Sequence, residues 1–241
     1  MLKILYEDNH LIAVFKPAGV LTQGDITGDR CLMDEVKSYL KTKYNKPGNV
    51  FLGLLHRLDR PVCGIVLFAK TSKGASRLSE QFRNRTIEKT YHALVLGKPK
   101  ENKGNLVDFL KKNANENVKR AELDYEVIAS GNKYSLLKIK LHTGRFHQIR
   151  AQLSAMGHPV LGDVKYDAPF ALPDKSICLC ATSISFLPAI ALRSEASGSK
   201  TLAEESKKTI SIPVPEEWNK FIGEEDKSSS SPSSPFGGLG I

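Results

Sequence analysis

The chain reads as an α+β protein with a mixed, largely antiparallel central sheet flanked by helices. Three features carry that reading. Short runs rich in Ile, Leu, Val, Tyr and Phe recur along the chain. Several consecutive runs are separated by tight-turn chemistry rather than by a helix, so neighbouring strands pair antiparallel. Apolar residues recur at helical spacing in about three or four segments, enough to flank a sheet but not to form a bundle.

Taken in order, residues 2–6 and 11–15 are strands joined by the turn Glu7-Asp8-Asn9-His10, and Lys16-Pro17-Ala18-Gly19 ends the second. Leu32, Val36, Tyr39 and Leu40 share a face of an amphipathic helix over residues 31–43. Residues 63–70 form a buried-type strand. Ser72 caps a helix with Ala75, Leu78 and Phe82 on its apolar face and Lys73, Arg77, Arg83 and Arg85 on or just beyond it. Residues 87–96 alternate as a strand that stops at Gly97-Lys98-Pro99. Residues 100–117, rich in Lys, Asn and Gly, predict a flexible excursion. Residues 122–129 and 134–141 form a hairpin around Ser130-Gly131-Asn132-Lys133. Phe146, Ile149, Leu153 and Met156 share a helical face, which reads as core rather than as a base-stacking platform, and Gly157 suits the C-terminal cap. A strand over residues 178–186, a polar loop over 191–208, a last strand at 209–212 and a short helix near Trp218 complete the pattern. Residues 224–241 turn to acid, Ser, Pro and Gly and predict a disordered tail.

The 241 residues are 41% hydrophobic, sufficient for a substantial core, and carry a formal net charge of +9. A basic surplus favours polyanions, above all nucleic acid. Cys31, Cys63, Cys178 and Cys180 form no C-x-x-C pair, and the alternation Cys178-Leu179-Cys180 predicts buried thiols rather than a zinc site or disulfides. The first eight residues include acids and lack a signal-peptide layout, and no apolar run reaches bilayer-spanning length, so a reducing cytoplasm is the expected home.

The densest chemistry lies in His56-Arg57-Leu58-Asp59-Arg60, one carboxylate among three potentially cationic side chains just before the apolar run Gly64-Ile65-Val66-Leu67-Phe68-Ala69. Opposite charge nearby keeps an acid ionised. Such an Asp at a strand mouth serves as a nucleophile or stabilises positive charge on a sugar; the plainer reading is a surface ion pair before a core strand. A second cluster is Thr143-Gly144-Arg145-Phe146-His147-Gln148-Ile149-Arg150, where a strand hands over to a helix. Arg145 falls in the first helical turn, and His147 and Gln148 face outward or toward a cleft edge, where His beside Arg and Gln at a helix start suits phosphate. The third is Ile87-Glu88-Lys89-Thr90-Tyr91-His92-Ala93. A mid-strand Tyr is ordinarily packing and matters here only if its strand borders the cleft that holds Asp59.

These segments, in this order, resemble the RluA-type family of pseudouridine synthases. The resemblance rests on His56-Arg57-Leu58-Asp59, Gly64-Ile65-Val66-Leu67-Phe68-Ala69-Lys70-Thr71, Lys89-Thr90-Tyr91-His92-Ala93, Thr143-Gly144-Arg145-Phe146-His147-Gln148-Ile149-Arg150 and Gly157-His158-Pro159-Val160-Leu161-Gly162-Asp163, and spans roughly residues 8–190. The family commonly has Thr-Ser-Gly shortly after its catalytic Asp; this chain has Val62-Cys63-Gly64, which keeps the Gly. The pattern begins almost at Met1, so the expectation is a catalytic domain over residues 1–223, without a preceding S4-like RNA-binding domain, followed by the 224–241 tail.

The resemblance implies the pseudouridine synthase catalytic fold with a central cleft, and an isomerase acting on flipped-out uridines of ribosomal RNA or tRNA. It implies that Asp59 is the essential carboxylate, that Arg145 pairs with it, and that Tyr91 packs on the target base and takes part in removing the C5 proton. Arg57 is expected to enter the helix gap left by the flipped base. His56, Arg60, Lys89, His147, Gln148 and Arg150 are softer assignments as RNA contacts. RNA is the expected partner, with no metal, cofactor, membrane or obligatory protein partner and a monomeric state. Two rival readings stand beside this one. The first is a catalytically idle RNA-binding module on the same fold. The second is a retaining-type sugar hydrolase, which would need a second carboxylate about 5 Å from Asp59; Asp163 is the candidate, and its Gly162-Asp163 setting looks structural.

Overall fold

A computed structural model of the chain describes residues 2–26, 28–112, 115–188 and 207–222. Ten strands join in one sheet. They are β1 (Lys3–Glu7), β2 (Leu11–Lys16), β3 (Gly53–Leu54), β4 (Cys63–Ala69), β5 (Glu88–Leu96), β6 (Lys103–Leu110), β7 (Lys119–Ser130), β8 (Tyr134–Leu141), β9 (Leu179–Phe186) and β10 (Lys208–Ser211). Their order is β1-β2-β4-β9-β5-β8-β7-β6, with β3 added to β4 and β10 to β9. All pairings are antiparallel except β4 with β9, which touch in parallel only at Cys63↔Cys180 and Gly64↔Ala181. The mixed, largely antiparallel α+β architecture expected from the pattern is the one observed.

The edge of β4 that faces away from β2 is shared. Residues Cys63 and Gly64 pair with β9, while Phe68 and Ala69 pair with β3. Between these two short pairings the Leu67 N–H has no strand partner, and His56 Nε2 accepts it at 3.0 Å. The sheet parts there, and the segment between β3 and β4, which carries Asp59, occupies the opening.

β2 and β4 are buried on both faces. Ile12, Val14, Val66 and Phe68 pack with Leu32, Val36 and Leu40 of α1 (Leu32–Lys43), whereas Leu11, Ala13, Ile65 and Leu67 pack with Leu78 of α2 (Ser72–Arg83). Helix α3 (Gln148–Ala155) adds Ile149 and Leu153 to the first of these cores, beside Tyr91, Leu94 and Ile139 of β5 and β8. A 3₁₀ turn at Glu216–Trp218 buries Trp218 and leads into α4 (Asn219–Ile222). Among the described residues no helix is long and apolar enough to cross a membrane.

Three local expectations are corrected. Residues 100–117 are no loose excursion: they contain β6, which pairs with β7 from Lys103↔Glu126 to Leu110↔Lys119. Its polarity does not follow its pleat, because Asp108 turns toward Gln152 (2.6 Å) while Val107 and Phe109 face solvent, and that hid the strand. The cap of α2 is Thr71, whose hydroxyl accepts the Gly74 N–H at 3.1 Å, rather than Ser72. Phe146 lies outside α3. His147 takes a left-handed conformation (φ +50°) just before the helix, so the apolar stripe starts at Ile149 and Phe146 stays exposed. The cap at Gly157 (φ +84°) holds, with His158 N donating to Leu153 O. The polar loop expected at 191–208 and the tail at 224–241 lie largely or wholly outside the described residues.

Gly64 is the position where the sheet tolerates no side chain. Its φ of +129° is a glycine conformation, and a Cβ there would sit 2.5 Å from Ala181 N. Gly64→Ala should therefore force β4 and β9 apart and lower stability by about 3 kcal/mol, combining overpacking with backbone strain. Chemical denaturation checks this; a loss below about 1 kcal/mol would show that the parallel pairing yields freely.

Candidate active site

Asp59 sits in a tight turn whose backbone is tied on several sides. Its own carbonyl accepts Val62 N–H (3.1 Å), Pro61 O accepts Ile177 N–H (3.2 Å), and Arg60 O accepts Gly19 N–H (2.8 Å). Thr22 brackets the neighbouring Leu58, donating to its carbonyl at 2.8 Å and accepting its N–H at 3.2 Å. Lys16 completes the brace. It has no exposed surface, and its ammonium donates to Pro17 O, Val20 O and Arg60 O at 2.7–3.1 Å. Burial pushes its pKa down to about 8 against the pull of nearby acids.

The carboxylate is aimed by α3. Arg150 Nη1 donates to Asp59 Oδ2 at 3.1 Å. The other nitrogens of the same guanidinium form a two-pronged pair with Asp163, Nε–Oδ2 at 2.6 Å and Nη2–Oδ1 at 2.7 Å. Arg150 and Asp163 are 5% and 1% exposed, so this ion pair forms a fixed post behind Asp59. Burial opposes the charge of Arg150, but Asp163 and then Asp59 outweigh it and hold the guanidinium protonated. His147 Nε2 lies 3.6 Å from Asp59 Oδ2, and its Nδ1 lies 3.0 Å from the Tyr166 hydroxyl. Burial lowers its pKa, keeping the ring neutral.

Tyr91 reaches the same space from β5. A bulge lies beside it, since Thr90 pairs with Ser183 but Tyr91 with Ala181, leaving Thr182 as the extra residue on β9. Thr182 Oγ1 closes the bulge with contacts to His92 Nδ1 (2.7 Å) and Thr90 O (3.3 Å). Bulges re-aim side chains next to functional sites. Tyr91 is 7% exposed, and among the described residues its hydroxyl makes no hydrogen bond. Burial raises its pKa, and Asp59 raises it further.

These groups floor a cleft of about 740 Å³. Its walls carry Arg57, Arg83, Arg85, Lys89, Lys111, Lys112, Lys119 and Arg145, mostly exposed. Phe146 stacks on His147 at 3.7 Å at the rim, with Lys112 Nζ 5.6 Å from its ring. An acid at the base of a basic, aromatic-edged cleft is an arrangement for a polyanion whose reacting unit enters the floor.

A family model described as RNA pseudouridylate synthase matches residues 10–155, more than half the chain. The chain belongs to the RNA pseudouridylate synthase family. It is 34% identical over 178 residues to an uncharacterized RNA pseudouridine synthase of Aquifex aeolicus, covering 68% of this chain and 56% of that relative. It is 33% identical over 181 residues to ribosomal large subunit pseudouridine synthase C of Rickettsia conorii (70% and 58% covered). It is 35% identical over 191 residues to tRNA pseudouridine synthase C of Vibrio cholerae (69% and 74%). The chain spans little more than half the length of several curated relatives, and 49% of ribosomal large subunit pseudouridine synthase D of Nitrosomonas europaea. Among solved structures, human RNA pseudouridylate synthase domain containing 4 superposes with a TM-score of 0.71 over 90% of each chain at 22% identity, which shows the shared fold.

Within this pseudouridine synthase fold the expected site residues divide. Asp59, Tyr91, Arg57, Lys89, His147 and Arg150 meet at the cleft. The expected pairing of Arg145 with Asp59 is not formed. Arg145 Nε donates instead to Arg120 O at 2.9 Å, and Arg150 holds the carboxylate, because α3 starts at Gln148 and turns Arg150, not Arg145, toward the turn. Arg60 points away from the cleft, onto Gly19 O (2.9 Å) and Asp29 (3.0 Å). Gln148 is spent internally: its Oε1 accepts from Thr143 Oγ1 and Arg145 N, and its Nε2 donates to Glu122 O and Gln152 Oε1. It shapes the site loop rather than reaching outward. Asp163, the sugar-hydrolase candidate, is bound to Arg150 and buried, so no second free carboxylate comes from it.

His56 is likewise not a cation. Burial, with a smaller push from Lys89, lowers its pKa to about 3, and the Leu67 N–H needs its lone pair. The unfolded chain takes up this proton near pH 6.5 while the folded one refuses it until about 3, so acidification across that window destabilises the fold. Each such group contributes up to about 1.4 kcal/mol per pH unit. His56→Gln, which offers an acceptor that does not titrate, should flatten the slope of stability against pH between about 6 and 4 by that amount. Urea denaturation at several pH values measures it, and an unchanged slope would contradict a neutral His56.

Proposed function

We propose that this protein isomerises specific uridines of ribosomal RNA or tRNA to pseudouridine, with Asp59 as the essential carboxylate acting on a nucleotide flipped out of its helix. The observation that carries this reading is the Asp59–Arg150–Asp163 array sharing the floor of a basic cleft with Tyr91, whose hydroxyl has no hydrogen-bond partner among the described residues. An idle binder would require only the basic walls.

In the reaction the N1–C1′ bond of uridine breaks, the uracil turns, C5 bonds to C1′, and the C5 proton departs while N1 regains one. Asp59 either attacks C1′ to give a sugar ester that C5 later displaces, or assists loss of the 2′ proton to give a glycal. Arg150, itself pinned by Asp163, keeps the carboxylate aimed through either course. Burial raises Tyr91, so its role is that of a platform for the uracil and a hydrogen-bond donor rather than a phenolate base. Arg57 fills the gap left by the flipped base, whose extrusion costs a few kcal/mol; its exposure at the cleft supports that role.

Release of tritium from RNA labelled at uridine C5 tests the proposal, with bulk tRNA and bulk ribosomal RNA transcripts assayed separately because relatives named for both match the chain. Release from one pool supports the isomerase and names its substrate class. RNA binding with no release from either pool would favour the idle module.

A further inference from the structure

We propose that Lys89 is the seat for a backbone phosphate of the nucleotide that enters the cleft. The inference rests on the proposed RNA substrate and adds what its ligand-binding wall recognises.

Half-buried Lys89 differs from the other sequestered cations of the fold. Lys16 has its three carbonyls, Arg150 its two carboxylates, and Lys70 the Glu7 carboxylate at 2.6 Å. Lys89, on the cleft wall two residues before Tyr91, has no carboxylate within 4 Å among the described residues. Its ammonium stands 5.9 Å from the Phe82 ring and against Gly144, where a Cβ would lie 3.4 Å from Nζ. Gly144 thus leaves the ammonium room to face the cleft.

Among the described residues no carboxylate contacts the ammonium; the two acids that share the cleft are Asp59, which is bound to Arg150, and Glu116. On β5, the adjacent Glu88 is turned to Lys207 (2.9 Å). From the β3–β4 segment comes neutral His56. The end of α2 and the residues after it bring Arg83 and Arg85, and the loop over residues 142–147 brings Arg145 and His142, the latter held by Asp124 at 2.6 Å. On β9 the residue opposite Lys89 is Ile184. A cation held partly out of water with no contacting anion is incompletely stabilised. The deficit is filled by a ligand bearing full negative charge, and RNA offers one at every linkage. Burial lowers the pKa of Lys89 to about 8, and a bound phosphate would raise it again.

The test measures binding of bulk tRNA and bulk ribosomal RNA transcripts by the wild type, Lys89→Met and Lys89→Arg, across a salt series and from about pH 7 to about 9.5. For Lys89→Met, affinity near neutral pH should fall roughly tenfold. The slope of log K against log salt should shrink by about 0.7–0.9, one phosphate contact. Wild-type affinity should weaken above about pH 8, while Lys89→Arg keeps the salt slope and loses that pH step. The Arg variant isolates Lys89 from Lys16, which titrates in the same range but faces only carbonyls. A Lys89→Met slope equal to wild type, or a pH step that survives in Lys89→Arg, overturns the assignment. If neither pool releases tritium, the isomerase reading fails, and the salt and pH arms still decide Lys89. If tritium is released and those arms are flat, Lys89 alone is wrong.

Discussion

Asp59→Asn is expected to stop tritium release from C5-labelled RNA, by about four powers of ten or more, while leaving both the fold and RNA affinity nearly intact. Removal of a reacting carboxylate has effects of this order. The fold should survive because Asp59 is not what holds its neighbours. Arg150 keeps its two bonds to Asp163, the turn keeps its ties to Lys16, Gly19 and Thr22, and Asn preserves shape at a side chain that is 28% exposed. Affinity should hold because the basic walls are untouched. Single-turnover tritium release, filter binding and thermal melting read the three quantities on one preparation. Turnover at the wild-type rate would remove Asp59 from the chemistry.

The second large effect separates two arginines five residues apart. Arg150→Met should cost about 3–5 kcal/mol, because it strands Asp163, 1% exposed, without a counter-charge. For a protein of this size that is a fall of roughly 10 °C in melting temperature. It should also abolish turnover, since Asp59 loses the donor that aims it. Arg150→Lys keeps the charge without the planar fork and should rescue part of the stability but little of the rate. Arg145→Met, losing one partly exposed bond to Arg120 O, should cost less than about 1 kcal/mol and leave Asp59 in place. If Arg145→Met silences the enzyme while Arg150→Met leaves it active and stable, the arrangement around Asp59 is not the working one.

Both predictions follow from residues that were prominent as letters but whose partners were not legible. His56-Arg57-Leu58-Asp59-Arg60 showed one acid among cations, and the natural inference was that these neighbours held it. In the fold, His56 serves the backbone of Leu67 and Arg60 turns to Asp29 and Gly19. The cation at the carboxylate arrives from α3, 91 positions along the chain. Asp163, in its Gly162-Asp163 setting, anchors that same Arg150. The strand β6 is obscured in the sequence because its half-buried positions include Gly104 and Asp108 and its exposed ones Val107 and Phe109.

What the sequence determined by itself is whatever depends on local pattern. Alternation and turn chemistry placed most strands, helical spacing placed α1 and the apolar side of α2, Gly157 ended α3, and the ordered short motifs indicated the family. What only the tertiary structure decided is which side chains meet. A single left-handed residue, His147, shifts the start of α3, and each residue of shift turns a helix face by about 100°. That rotation exposes Phe146 and brings Arg150 rather than Arg145 to Asp59. The bulge at Thr182 and the parting of the sheet beside β4 then set Tyr91 and Lys89 on the same cleft. Spacing along a chain fixes direction only while the backbone stays regular, and this site is built where it does not.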